Sequence, residues 1–200
     1  MKKRTIAYFY LTGVCFLTLG IALTIKASIG TSPFDAMLVG FFNTFGLSVG
    51  SWEVILGVFM VLGNAAVLKK RPEYPALVTA FAVGSGIDVW LFALKGVYLE
   101  SLFGQIALFT VGLFFCSLGI AIYLQSDFAL TPVDRTMLVV QMLTGWNITI
   151  ARTVLGFIYL AVAWLLSGPI GLGTLLSVFF SGKMIQMLLP YMRKIKVKVA

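Results

Sequence analysis

Long apolar stretches recur along the whole chain, and they constrain its fold more than any other feature. Apolar residues make up 60% of the 200 residues and charged residues only 11%, and the mean hydropathy is +1.02. A helix that crosses a hydrocarbon core of ~30 Å needs about 20 such residues, and the stretches are long enough. We therefore predict an all-α, polytopic membrane protein that forms a single membrane domain over residues 1–200.

Scarce residue types exclude several classes of function. The chain has no histidine, which removes the commonest general base and the usual zinc and haem ligands. Cys15 and Cys116 lie inside apolar stretches, where packing is their expected role. The net charge of +8 comes largely from short basic clusters beside apolar stretches, as in cytoplasmic loops facing anionic lipid. We expect no metal, no cofactor, no nucleic-acid partner and, without a nucleophile beside a base, no enzyme.

An internal repeat becomes visible when the chain is shifted by about 99 residues. Residues 19–22 then fall on residues 118–121, and residues 32–35 fall on residues 131–134. We place repeat 1 at about residues 5–95 and repeat 2 at about residues 102–192. Each repeat contains four apolar segments, at 5–25, 33–46, 52–68 and 75–94 and at 102–125, 132–145, 150–166 and 169–189. The second segment of each repeat reaches only ~21 Å as a helix, which is too short to span.

The positions of lysine and arginine discriminate between eight spans and six. Most of them lie in three clusters, at residues 2–4, 69–71 and 193–198. If all eight segments span, the middle cluster lies on the side opposite to the other two. If the two short segments re-enter, all three clusters lie inside with Arg135 and Arg152, as the positive-inside rule favours. We therefore predict six full spans plus two short, re-entrant helices, with both termini in the cytoplasm.

Three crossings per repeat is an odd number, so the second repeat must enter the membrane in the opposite orientation. The charges agree, because Glu53, expected on the outer side, corresponds to Arg152 on the inner side. We predict an inverted-topology repeat, an architecture of channels and secondary transporters whose sites lie near the midplane. Architecture alone does not establish transport.

Two equivalent four-residue segments have the pattern of a helix start. Ser32 and Thr131 are the predicted N-caps, and Pro33 and Pro132 are the first helical residues. Asp35 and Asp134 are the third helical residues. In a purely structural interpretation the motifs only cap two helices. In a functional interpretation the two N-termini meet at mid-bilayer and bind a ligand. Because an aspartate occupies each first turn, we expect a neutral, zwitterionic or cationic solute, or a proton.

Asp88 lies inside the predicted span 75–94, and its counterpart in the second repeat is Gln186. Ionisable residues within a membrane are costly and commonly functional, whereas the alternative is a hydrogen bond that holds two helices together. The predicted solute- or ion-binding residues are Ser32, Asp35, Asp88, Thr131, Asp134 and Gln186.

The residues Gly-Ile-Ala-Leu at 20–23, Lys-Ala at 26–27 and Gly-Thr-Ser-Pro-Phe-Asp at 30–35 resemble the YczE/YyaS/YitT family of bacterial integral membrane proteins. The similarity extends over essentially the whole chain, although the second copy has Ala129 and Val133 where the first has glycine and phenylalanine. The resemblance implies a multi-pass protein of the bacterial cell membrane.

Two functions remain as hypotheses. The first is a transporter of a small solute or ion with a site at the interface of the two repeats. The alternative is a non-transporting accessory or regulatory protein that acts on a partner, for example in secondary-metabolite production. The expected partners are the lipid bilayer, a small solute or ion, and a second copy of the chain or another membrane protein.

Overall fold

The structure, a computed structural model, describes residues 3–126 and 128–199, with side chains for 5–126 and 128–197. All regular structure in these residues is helical, and a 3-10 turn, Leu124–Ser126, follows the fifth helix. The α-helices are α1 (Lys3–Lys26), α2 (Pro33–Phe45), α3 (Val49–Leu68), α4 (Tyr74–Ala93), α5 (Leu102–Tyr123), α6 (Pro132–Thr144), α7 (Ile148–Leu165) and α8 (Leu172–Val199). Of the basic clusters predicted to be cytoplasmic, Lys2 and the side chains of Lys3, Arg4 and Lys198 lie outside the described residues.

Six helices in the described part of the chain are long and apolar enough to cross a membrane. Their candidate spans are Thr5–Lys26, Val49–Leu68, Tyr74–Ala93, Leu102–Ser126, Ile148–Leu165 and Leu172–Val197. Helices α2 and α6 have 13 residues each. At 1.5 Å per residue they are about 20 Å long, well short of a ~30 Å core. The predicted all-α membrane fold with six long and two short helices is confirmed.

Helices α1 and α5 pack against each other along their length. A Cβ atom added to Gly20 would lie 2.3 Å from the Cys116 backbone nitrogen, and one added to Gly119 would lie 2.3 Å from that of Leu17. The two backbones are therefore in direct contact, as small residues allow between membrane helices. Because later residues of α1 lie beside earlier residues of α5, the two helices run antiparallel.

The remaining helices surround this central pair. Helix α4 packs on α1 and α8 packs on α5, while α3 and α7 lie beside the two short helices. Helix α2 contacts α7 through Ala36 and Met37, which form a core cluster with Leu155 and Tyr159. At the other end of α2, the Thr44 hydroxyl donates a hydrogen bond of 3.2 Å to the backbone oxygen of Leu166, just after α7. The position of α2 is therefore set largely by the second half of the chain.

Candidate functional site

The N-termini of both short helices lie beside the middle of a long helix from the other half. A Cβ atom added to Gly156 of α7 would lie 3.9 Å from Pro33 Cγ, and one added to Gly57 of α3 would lie 3.3 Å from Pro132 Cγ. Gly57 and Gly156 are near the centres of their helices, so the N-termini of α2 and α6 lie near half the depth of the long helices. The glycines leave room for the proline rings at these contacts.

Asp35 in the first turn of α2 is buried, with 7% of its surface exposed. Ser32 caps the helix, because its hydroxyl oxygen accepts a hydrogen bond of 3.3 Å from the Asp35 N–H. The same hydroxyl donates to Asp35 Oδ2 over 2.6 Å. This pair of bonds satisfies an orphan donor of the helix and holds the carboxyl group at the helix N-terminus.

Asp134 occupies the equivalent position in α6, and it has one more partner than Asp35. The Thr131 hydroxyl caps the helix by accepting from the Asp134 N–H over 3.2 Å and donates to Asp134 Oδ2 over 2.9 Å. The hydroxyl of Tyr123, at the end of α5, also donates to Asp134 Oδ2. Tyr123 is buried, and its hydroxyl faces this carboxyl group.

Glu53 on α3 is a third acidic residue at this place. Only 4% of its surface is exposed. It shares the buried face of α3 with Gly50 and Gly57, one turn to either side. Glu53 interacts electrostatically with both Asp35 and Asp134, and it forms no hydrogen bond or ion pair with any residue that the structure describes.

Tyr159 on α7 completes the site. Its ring meets that of Phe34 edge to face, with the centroids 5.2 Å apart, next to Asp35. The residue is 7% exposed, and its hydroxyl has no hydrogen-bond partner among the described residues. Tyr159 also interacts electrostatically with Glu53 and Asp134. A buried hydroxyl without a partner costs about 1–3 kcal/mol, so its retention here requires an explanation.

The charged residues of the site are all acidic. We define the acidic centre as the side chains of Asp35, Glu53, Asp134 and Tyr159, which come from α2, α3, α6 and α7. The ion pair found among the described residues, between Arg135 and Glu73, does not include any of them. Nor do the described residues contain a group of three or more acidic, histidine or cysteine side chains close enough to hold a metal ion. The three carboxyl groups of the acidic centre are therefore not arranged as a metal-binding cluster.

Comparisons with known proteins identify the family. A family model described as a family of unknown function, DUF6198, matches residues 2–190. The chain belongs to this family. It is 43% identical over 187 residues to the uncharacterized protein YyaS of Bacillus subtilis, with 93% of each chain covered. It is 32% identical over 183 residues to the uncharacterized membrane protein YczE of the same organism, covering 91% of this chain and 84% of YczE. The resemblance to YczE and YyaS is thereby confirmed, and no solved structure matches the chain.

Asp88 and Gln186, the other two predicted site residues of this DUF6198 protein, lie apart from the acidic centre. Asp88 lies in the last third of α4, where its carboxyl group accepts hydrogen bonds from the Ser48 hydroxyl, over 2.5 Å, and from the Gly50 N–H, over 2.8 Å. These bonds join α4 to the beginning of α3, which agrees with the structural alternative for Asp88. Gln186 is exposed on α8 and makes no hydrogen bond to a described residue.

Glu53 and Tyr159 were not predicted as site residues, although the sequence contains a signal for one of them. Glu53 lies three residues after Gly50 and four before Gly57, so it shares a helix face with two residues that favour close packing. An acidic residue on such a face is expected to be buried. Tyr159 has no comparable signal, because tyrosine is common in membrane helices and its repeat counterpart is Met60.

Proposed function

We propose that this protein is a transporter of a small cationic or zwitterionic solute that binds at the acidic centre. The observation that carries the proposal is the Tyr159 hydroxyl, which is buried without a hydrogen-bond partner among the described residues and interacts electrostatically with Glu53 and Asp134. A solute with a positive charge and a hydrogen-bonding group would satisfy both the hydroxyl and the carboxyl groups. The site takes no part in a chemical reaction in this proposal.

The arrangement of the helices around the site supports this function. Equivalent helices of the two halves, α1 and α5, run antiparallel, as they do in an inverted repeat. The equivalent prolines Pro33 and Pro132 meet the equivalent glycines Gly156 and Gly57. Transporters with inverted repeats bind their solutes near the midplane, between short or broken helices. These features support a site at the interface of the two predicted repeats.

Sided labelling of cysteines tests the topology on which the proposal depends. Leu47 and Lys70 are exposed residues at the two ends of α3. With Cys15 and Cys116 replaced by alanine, a membrane-impermeant thiol reagent applied to intact cells should label Leu47→Cys and not Lys70→Cys. That result would agree with six spans, cytoplasmic termini and a location in the bacterial cell membrane. The opposite pattern would favour eight spans and overturn the inverted repeat.

A stability screen on the purified full-length protein tests solute binding. Tetramethylammonium, putrescine, glycine betaine, glycerol and sulfate together represent cationic, zwitterionic, neutral and anionic solutes. A solute that binds the folded state at 100 times its Kd adds about 2.7 kcal/mol of stability and raises the Tm. We expect stabilisation by a cationic or zwitterionic member of the panel, followed by its uptake into proteoliposomes.

Matched variants show whether the acidic centre is responsible. Glu53→Gln and Tyr159→Phe should remove the stabilisation by the solute. Glu100→Gln removes a carboxyl group on an exposed loop and should leave it intact. Stabilisation by sulfate alone, or by no solute, would contradict the proposal. Absence of uptake together with a partner that co-purifies and is lost on deletion of the gene would favour the accessory role instead.

A further inference from the structure

Glu53 differs from the two aspartates of the acidic centre in how its carboxyl group is satisfied. Asp35 accepts a hydrogen bond from Ser32, and Asp134 accepts hydrogen bonds from Thr131 and Tyr123. Glu53 is as deeply buried as Asp35, but it has no such donor among the described residues. The two aspartates are therefore held in place by hydrogen bonds, whereas the Glu53 carboxyl group has no hydrogen-bond partner among the described residues.

An ionised Glu53 would be expensive in these surroundings. A buried carboxylate without a positive partner costs several kcal/mol, and the negative charges of Asp35 and Asp134 would repel it further. The cost is removed either when a proton binds to Glu53 or when a cation lies beside it. Only one of these can neutralise the same carboxylate at a time, so the two events are alternatives.

We propose that Glu53 is the proton-binding residue of this protein and that proton release from it accompanies solute binding. A cationic solute entering the acidic centre displaces the proton from the Glu53 carboxyl group, and departure of the solute allows a proton to return. Exchange of one proton for a solute with a single positive charge leaves the charge of the site unchanged, and the proton passes to or from water. The coupling to a solute rests on the proposed function, whereas proton binding by Glu53 does not.

Several titratable groups surround Glu53 and set the conditions for this exchange. The groups that interact electrostatically with Glu53, or with Asp35 or Asp134, are Asp35 on α2, Cys116 and Tyr123 on α5, Asp134 on α6 and Tyr159 on α7, and Asp88 on α4 is bonded to Gly50, one turn before Glu53. Of these, Asp88 is bonded to Ser48 at the beginning of α3, and Tyr123 is bonded to Asp134. Tyr159 remains as the neutral polar group near Glu53. We assign it the role of positioning the proton or solute that binds to Glu53.

Labelling with dicyclohexylcarbodiimide tests the proposal without knowledge of the solute. This apolar reagent enters the bilayer and reacts with protonated carboxyl groups. The full-length protein in liposomes is labelled over a range from acidic to alkaline pH, and the modified peptides are identified by mass spectrometry. We expect Glu53 to be labelled more than Asp35 or Asp134, with labelling falling about tenfold per pH unit above its midpoint.

Three variants calibrate the measurement. Glu53→Gln should abolish the label at this position and, being neutral and nearly the same shape, should fold. Glu53→Asp should keep a label that responds to pH, whereas Tyr159→Phe should shift the midpoint without removing it. If Glu53 stays unlabelled at acidic pH, or if its labelling does not change with pH, the proposal is wrong. Absence of solute uptake by the same liposomes would overturn only the proposed function, because the label measures protonation of the carboxyl group directly.

Discussion

The predicted repeat aligns helices α3 and α4 of the first half with α7 and α8 of the second, yet the two pairs pack differently. A Cβ atom added to Gly50 of α3 would lie 2.0 Å from the backbone oxygen of Gly84 on α4, so these backbones touch. Over the described residues, α7 and α8 make hardly any contact. Gly182, the counterpart of Gly84, has the guanidinium group of Arg152 as its nearest neighbour, at 3.8 Å from the built Cβ.

The difference follows from side-chain size and charge at the contact positions. Where α3 has Gly50 and Glu53, α7 has Thr149 and Arg152. The larger side chains keep α7 away from α8, and Arg152 is exposed and donates to the Ser181 hydroxyl over 3.2 Å. Small residues permit close approach between membrane helices, whereas helices with bulkier residues at the same positions remain apart. The comparison teaches that a shared topology does not impose shared packing.

The two helix pairs should differ most in how much stability is lost when the glycine on the second helix, Gly84 or Gly182, is replaced by leucine. At Gly84 a Cβ atom would already lie 2.4 Å from the backbone oxygen of Gly50, and backbone cannot move aside cheaply. Gly84→Leu should therefore cost on the order of 3 kcal/mol or more and strongly lower the yield of folded protein. The measurement is the midpoint of thermal unfolding of the detergent-purified protein.

Gly182→Leu is the matched control. Its closest neighbour is the end of a flexible arginine side chain, so we expect a change within about 0.5 kcal/mol. Equal losses of stability in the two variants would show that α8 packs on α7 as tightly as α4 packs on α3. That outcome would remove the asymmetry on which the comparison rests.

A smaller effect is expected from removing the hydrogen bonds that join α4 to the beginning of α3. Asp88→Ala removes the acceptor of the Ser48 hydroxyl and the Gly50 N–H, and bonds to a charged group contribute about 1.5–3 kcal/mol. Gln186→Ala, at the equivalent exposed position, should change the unfolding free energy by less than about 0.5 kcal/mol. Both variants are measured by unfolding in detergent, and a Gln186→Ala loss as large as that of Asp88→Ala would contradict the prediction.

Much of the fold could be predicted because membrane helices follow from length and hydropathy. The two short helices were also predictable, since Ser32, Thr131 and the prolines after them form start patterns in which local hydrogen bonds decide the structure. The separation of α7 from α8 could not be predicted, because an exact repeat would give equal packing in both halves. That separation depends on which side chains meet at Thr149 and Arg152, and a single helix sequence does not contain this information.

The candidate site was predictable only in part for a similar reason. Asp35 and Asp134 belong to a local motif that repeats along the chain. Glu53 and Tyr159 join them through contacts between distant helices, and their repeat counterparts, Arg152 and Met60, have different chemistry. The repeated motif therefore indicates the two aspartates, whereas no symmetric pair of residues indicates Glu53 or Tyr159.

The smallest of the predicted effects concerns the N-caps of α3 and α7. Ser48 and Asn147 both accept a hydrogen bond from the backbone N–H three residues later, so alanine at either position should lose about 1 kcal/mol of capping energy. Ser48 also donates to Asp88, and Asn147 has no such partner among the described residues, so Ser48→Ala should cost about 1 kcal/mol more than Asn147→Ala. In an Asp88→Ala background this excess should disappear, because the partner of the Ser48 hydroxyl is gone. Unfolding free energies of the single and double variants in detergent measure the coupling between Ser48 and Asp88. Equal costs for the two caps would mean that the Ser48–Asp88 bond contributes nothing to the packing of α3 on α4.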